Sequence, residues 1–134
     1  MEQLTFSSLE LAVKAEQQMP EANTINIYVY LGLERAKSFG SVEQTKRAHL
    51  RVVNTLLETM CDDCLSLRWR TACYKWIKKL MPLLFELLHK DDYWQRVADV
   101  KLLHTYFLKD KKELHPLTTQ NTMTRDEQSP KREG

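Results

Sequence analysis

Cys61 and Cys64 form a CxxC pair, and Cys73 follows nine residues later. Two thiols at that spacing can share a zinc ion, but a structural zinc site needs four ligands. The remaining ligands would have to come from Cys73, His49 or His89, and there is no second CxxC or HxxxH to supply them. A redox role for the pair would need a βαβ context, which the surrounding sequence lacks. Cys73 falls on an apolar helical face between Trp69 and Trp76, where a thiol serves as a small hydrophobe. We therefore assign no metal and no cofactor, and keep a small metal- or thiol-dependent enzyme as a third functional reading.

The other chemistry-bearing residues are equally unassembled. The histidines are His49, His89, His104 and His115, and no motif sets a serine or cysteine nucleophile beside any of them. Gly32, Gly40 and Gly134 are the only glycines, so no phosphate-cradling loop is present. The acid pairs Asp62–Asp63 and Asp91–Asp92 precede helical segments and are expected to cap them. No catalytic residue is assigned, and a non-enzymatic role is expected.

Charge is more informative. No acid occurs from Cys64 to Phe85, while Arg68, Arg70, Lys75, Lys78 and Lys79 lie within that stretch. Lys46, Arg47 and Arg51 offer a second basic group, and Lys109, Lys111 and Lys112 a third. Such a face suits an acidic protein surface or nucleic-acid phosphates. The partner-binding residues expected from charge are Arg68, Lys75, Lys78, Lys79, Arg47 and Arg51. The LxxLL match at Leu84, Leu87 and Leu88 continues a core face and is read as packing. Ser129-Pro130-Lys131-Arg132 has the form of a proline-directed phosphorylation site, so Ser129 is the candidate modified residue.

These residues must be positioned by helices. Ser7 with Glu10 reads as a capping box, stapled by Phe6 and Leu11, for a first helix that Pro20 stops. The stretch from Glu21 to Phe39 has strand-like composition in INIYVYL. Ile25, Tyr28, Val29, Leu33 and Ala36 nevertheless share a helical face, and a lone strand would have no partner. Ser41 and Gln44 open a third helix, with Val42, His49, Val53, Leu56, Leu57 and Met60 inward. The fourth runs from the Cys61 region to Lys90, with Trp69, Ala72, Cys73, Trp76, Ile77 and Leu80 on one face. Pro82 projects from its polar side, so one bent helix is favoured over a break near Met81. Asp92 with Gln95 is expected to cap a fifth helix. Its apolar residues, including Trp94, Val100 and Phe107, spread around most of the circumference and make it the expected apolar interface.

The fold class is thus all-α: a single bundle of about five helices over residues 1–112, with residues 113–134 as a disordered tail. Armadillo- or solenoid-like helix pairs are the alternative. The 134-residue length suits one domain, and 43% hydrophobic with 28% charged residues is ordinary for one. The net charge of +2 confines any basic character to local patches. An odd cysteine count fits a reducing compartment, so the cytoplasm or nucleus is expected. No apolar run long enough to span a membrane is seen. The expected function is a protein–protein interaction module, an adaptor or regulatory subunit of a larger complex. Its partner would present an acidic surface or an apolar groove. A nucleic-acid-binding accessory factor is the alternative.

Overall fold

The computed structural model describes residues 5–19 and 23–109. The tail expected from residue 113 and the candidate Ser129 lie outside the described residues, as do Pro20, Lys111 and Lys112. Five α-helices follow one another: α1 (Phe6–Lys14), α2 (Thr24–Lys37), α3 (Val42–Met60), α4 (Leu67–Leu84) and α5 (Lys90–His104). A π-helical turn over Thr105–Lys109 extends α5. No strand is present among the described residues, and no helix is long and apolar enough to cross a membrane. The strand-like INIYVYL segment is helical because Ile25, Tyr28 and Val29 then fall on one buried side.

The helix starts show how local chemistry chooses boundaries. The α1 cap is Thr5, not Ser7: its Oγ1 accepts the Ser8 N–H at 3.0 Å, and Ser8 Oγ accepts the Thr5 N–H at 3.1 Å. Phe6 does not staple to Leu11, which is exposed. It stacks on Tyr28 instead, with ring centroids 4.9 Å apart. Ser41 caps α3 as expected, accepting the Gln44 N–H at 3.1 Å. Ser66 rather than Asp62 or Asp63 caps α4, and His89 rather than Asp92 caps α5. Asp62 is already committed to the Cys64 N–H, and Asp63 to Arg70.

The end of α1 comes well before Pro20. Glu16 takes φ 54°, in the left-handed region that costs a non-glycine residue about 1 kcal/mol. Its carboxylate compensates by accepting the Ser66 N–H at 2.8 Å and the Ser66 hydroxyl at 2.6 Å. The turn that stops α1 therefore also fixes the start of α4.

Helix α4 passes through Pro82, whose side faces solvent, and stops at Leu84. The helix expected to reach Lys90 thus ends six residues short of it, although no break occurs at Met81. Leu87 and Leu88 both return their N–H to the Leu84 carbonyl at 3.0 Å. The LxxLL leucines therefore turn a corner, with Leu84 buried and Leu87 and Leu88 half-buried. Leu83, the residue after the proline, is exposed.

One core joins all five helices. It runs from Leu9 and Val13 through Tyr28 and Val29, Val52, Leu56 and Met60, to Cys73, Ile77 and Leu84, ending at Tyr93, Val100 and Leu108. Helices α3 and α4 share the most extensive interface, and α1 packs on both α2 and α3. That closure makes one end a three-helix cluster, unlike stacked repeats in which each unit meets only its sequence neighbours. Val42, expected inward, is exposed at the first turn of α3, before that helix reaches the core.

Candidate protein-docking face

Position along α4 decides what each side chain can do. At about 100° per residue, Cys73, Ile77, Leu80 and Leu84 point one way, and Arg68, Lys75 and Lys79 point the other within about 40° of one another. Burial follows that wheel: the first group is closed to solvent and the second is exposed. Lys78 lies at the edge of the stripe, with its ammonium 4.9 Å from the Tyr74 ring centroid. The Lys79 ammonium sits 4.9 Å from the Trp76 ring centroid. None of Arg68, Lys75, Lys78 and Lys79 joins an ion pair among the described residues.

The two tryptophans hold this helix against the first two. Trp69 donates its indole N–H to the Val13 carbonyl at 2.8 Å, and Trp76 donates to Asn26 Oδ1 at 2.8 Å. A cleft of about 450 Å³ opens beside Trp69, between Glu16, Asn23, Ile25 and Arg68. A second of about 480 Å³ runs over Leu67, Thr71, Ala72 and Lys75. Arg68 and Ala72 border both, so the stripe has relief into which a partner side chain can insert.

Four residues expected to be available cations are occupied elsewhere. Arg70 is 3% exposed. Its Nε donates to the Met60 carbonyl at 2.8 Å, and its Nη2 donates to the Phe107 carbonyl at 2.6 Å and Asp63 Oδ1 at 3.3 Å. It ties the end of α3 to the π-helical turn. Arg51 is clamped to Glu10 through Nε and Nη2, both at 2.9 Å. Arg47 pairs with Glu43 at 3.5 Å, and Lys46 pairs with the same carboxylate at 3.2 Å. The α3 group is therefore largely neutralised within the protein. Of the third group, Lys109 is exposed, and Lys111 and Lys112 lie outside the described residues.

The Glu10 carboxylate is a junction the sequence reading did not identify. Besides Arg51 it accepts the Tyr28 hydroxyl at 2.6 Å and the Thr55 hydroxyl at 3.1 Å. It thereby connects α1, α2 and α3. Burial alone would raise its carboxyl, but the bonds from Arg51, Tyr28 and Thr55 and the guanidinium charge hold it below the usual carboxylate value. Burial and the bond to Glu10 push the Tyr28 phenol upward. The sequence reading places Glu10 in a capping box with Ser7, a local role that Thr5 and Ser8 fill instead.

The apolar candidates separate. Trp94 is 54% exposed, whereas Val100 is 6% exposed and belongs to the core. Val100 is thus unavailable to a partner in this packing. Phe107 is half-buried, its carbonyl accepts from Arg70, and Tyr106 packs edge-on against its ring at 4.8 Å. Helix α5 also leaves Leu102 exposed, beside a groove of about 600 Å³ lined by Leu50, Leu57, Leu88, Leu102 and Leu103. Arg96 crosses from α5 to donate to Asn54 Oδ1 on α3 at 2.7 Å.

Thiol chemistry has poor footing here. Burial pushes the Cys73 thiol up to about 12 and raises that of Cys61 as well. A thiol held protonated is a weak nucleophile and a weak metal ligand. Cys64 is exposed in the loop, and no group of three or more His, Cys, Asp and Glu side chains converges among the described residues. His49 is half-buried, and burial lowers its pKa. His104 stacks on Tyr74 with centroids 3.8 Å apart. Comparison with protein-family models, with curated proteins and with solved structures returned no match.

Proposed function

We propose that this chain is a non-enzymatic protein-interaction module, an adaptor or regulatory subunit, that docks an acidic partner surface along the outer side of α4. The observation that carries this reading is the stripe Arg68–Lys75–Lys79, flanked by Lys78. Its cations have no internal counter-ion among the described residues and stand on a helix anchored by two tryptophan hydrogen bonds. A rigid row of unpaired cations favours encounter with opposite charge and disfavours basic partners. The odd number of cysteines supports a reducing compartment, cytoplasm or nucleus. An acidic protein is a better match than nucleic acid because the α3 cations are spent on Glu43 and Glu10, leaving a narrow stripe.

The test replaces Arg68, Lys75 and Lys79 together with glutamine. The expected result is that an acidic protein recovered by the parent at low salt is lost with the variant, while thermal unfolding is unchanged. Equal recovery by the two would overturn the reading. Titration with single-stranded and duplex nucleic acid is the companion measurement. Salt-sensitive binding there, abolished by the same substitutions, would transfer the stripe to a nucleic-acid partner.

A further inference from the structure

The outer side of α4 is spaced as a seam. Arg68, Ala72, Lys75 and Lys79 follow one another at intervals of four, three and four residues. That spacing keeps them within about 60° of one another on the helix wheel. It is also the alternation by which one helix presents a straight line to another. Ala72 is the short side chain in the line. It is half-buried, as are Leu67 and Thr71 beside it, whereas Arg68 and Lys75 are exposed to either side. The hollow of about 480 Å³ on this face is bordered by Arg68, Thr71, Ala72 and Lys75, together with Leu67. Those first four stand at i, i+3, i+4 and i+7, the diamond into which one side chain of a facing helix packs.

The character of the seam changes along its length. The next diamond, Ala72, Lys75, Trp76 and Lys79, carries two cations, and the Lys79 ammonium lies 4.9 Å from the Trp76 ring centroid. A facing side chain that is apolar at the first diamond and acidic at the second therefore matches both. Acids of this chain mark the two ends. Glu16 lines the neighbouring cleft beside Arg68, and Ser66 occupies both of its carboxylate oxygens. Past Pro82, Glu86, Lys90, Asp91 and Asp92 are all exposed, so the charge there is mixed. Phe85 turns toward α5, meeting Tyr93 edge-on at 5.1 Å, and Tyr93 meets Trp94 in the same way at 5.1 Å. On the α2 side the polar neighbours Asn23 and Asn26 are uncharged. The purely cationic stretch from Arg68 to Lys79 is about 16 Å long, or three helical turns.

We infer that this seam takes an acidic amphipathic helix of a partner protein, with one apolar side chain seated over Ala72 and carboxylates against Arg68, Lys75 and Lys79. The inference rests on the reading of α4 as a docking face and names the element that face receives. The small side chain of Ala72 lets the two backbones approach to the usual spacing of packed helices, about 8–10 Å. The aliphatic stems of Arg68 and Lys75 cover the sides of the inserted residue while their charged ends reach the acids.

Fluorescence anisotropy with the full chain and labelled synthetic peptides tests it. The probe is a helical peptide of about 14 residues, some four turns, with a central leucine and glutamates three and four residues to either side. It is expected to bind about tenfold more tightly than the same peptide with alanine for leucine, which keeps the helix and removes the buried side chain. A peptide of equal charge broken by a central proline should lose as much. Ala72→Leu fills the hollow and leaves every cation in place, so it should cost the leucine peptide a similar factor with Tm unchanged. If Ala72→Leu lowers Tm, the alanine peptide still reads the same contact on the unaltered protein. Absence of saturable binding overturns the inference, as does equal affinity for the intact and proline-broken peptides. So do tighter binding of duplex DNA, indifferent to Ala72→Leu, and self-association of the chain weakened by that substitution, which would give the seam to a nucleic acid or to a second copy. Docking of a non-helical acidic surface would then still stand or fall on the Arg68, Lys75 and Lys79 substitutions.

Discussion

Replacing Glu10 with alanine removes the acceptor that joins three helices, and its cost can be bounded from the contacts. Four hydrogen bonds reach this carboxylate, two from Arg51 and one each from Tyr28 and Thr55. Bonds to a charged group contribute about 1.5–3 kcal/mol each. Adding four such values overshoots, because residues sharing one acceptor are not additive. Removing one partner of a buried ion pair costs about 3–5 kcal/mol. The Glu10 side chain is 15% exposed, but that of Arg51 is 38% exposed and can regain water. The discounted expectation is about 2–3 kcal/mol, which corresponds to a fall of roughly 10–20 °C in Tm for a domain of this size. Urea unfolding followed by far-UV circular dichroism measures it. The pH dependence gives a second check. Glu10 titrates below its ordinary 4.5 in the folded protein, so its stabilisation is complete above that value and disappears as pH falls through the lowered one. The gap between parent and variant should narrow under acid. A variant within about 0.5 kcal/mol of the parent at neutral pH, the range of an ordinary surface substitution, would refute the junction.

Two further outcomes follow from packing. Gly32→Ala would drive a Cβ into Val52 Cγ2 where α2 crosses α3, so a loss of about 1–3 kcal/mol is expected in the same unfolding assay. In a thiol-titration experiment on the native protein at mildly alkaline pH, Cys64 should react at once. Cys73 should stay silent until denaturant is added, because it is fully enclosed and its thiol is pushed up to about 12.

Helix faces were readable from the sequence where apolar spacing is regular. Cys73, Ile77 and Leu80 on α4, and Val53, Leu56 and Met60 on α3, are buried as the period implies. Caps were less legible because several eligible side chains lie close together and each can be claimed by something else. Asp62 serves the loop and Asp63 serves Arg70, which leaves Ser66 to begin α4. Arg51 could not be separated from free cations by local spacing, since its acid lies 41 residues away. Arg70 did carry a signal. It is in register with Cys73 and Ile77, three and seven residues on, and a charged residue in that phase must find buried acceptors. Val100 was misplaced because α5 has no dominant apolar side, so phase alone could not tell its inward residues from its exposed ones.

Helix α5 is held to the rest of the molecule by few groups. Tyr93, Val100 and Leu108 supply its buried side chains, Arg70 holds the Phe107 carbonyl, and Arg96 reaches Asn54. With the stacking of His104 on Tyr74 these are its main ties, so α5 with its π-helical turn is the described unit expected to open at the lowest free energy. Its amides should exchange with solvent ahead of those in α3 and α4. Any ligand seated across the Phe85–Trp94 corner would slow that exchange in proportion to its occupancy, so α5 reports on binding even where it makes little of the contact.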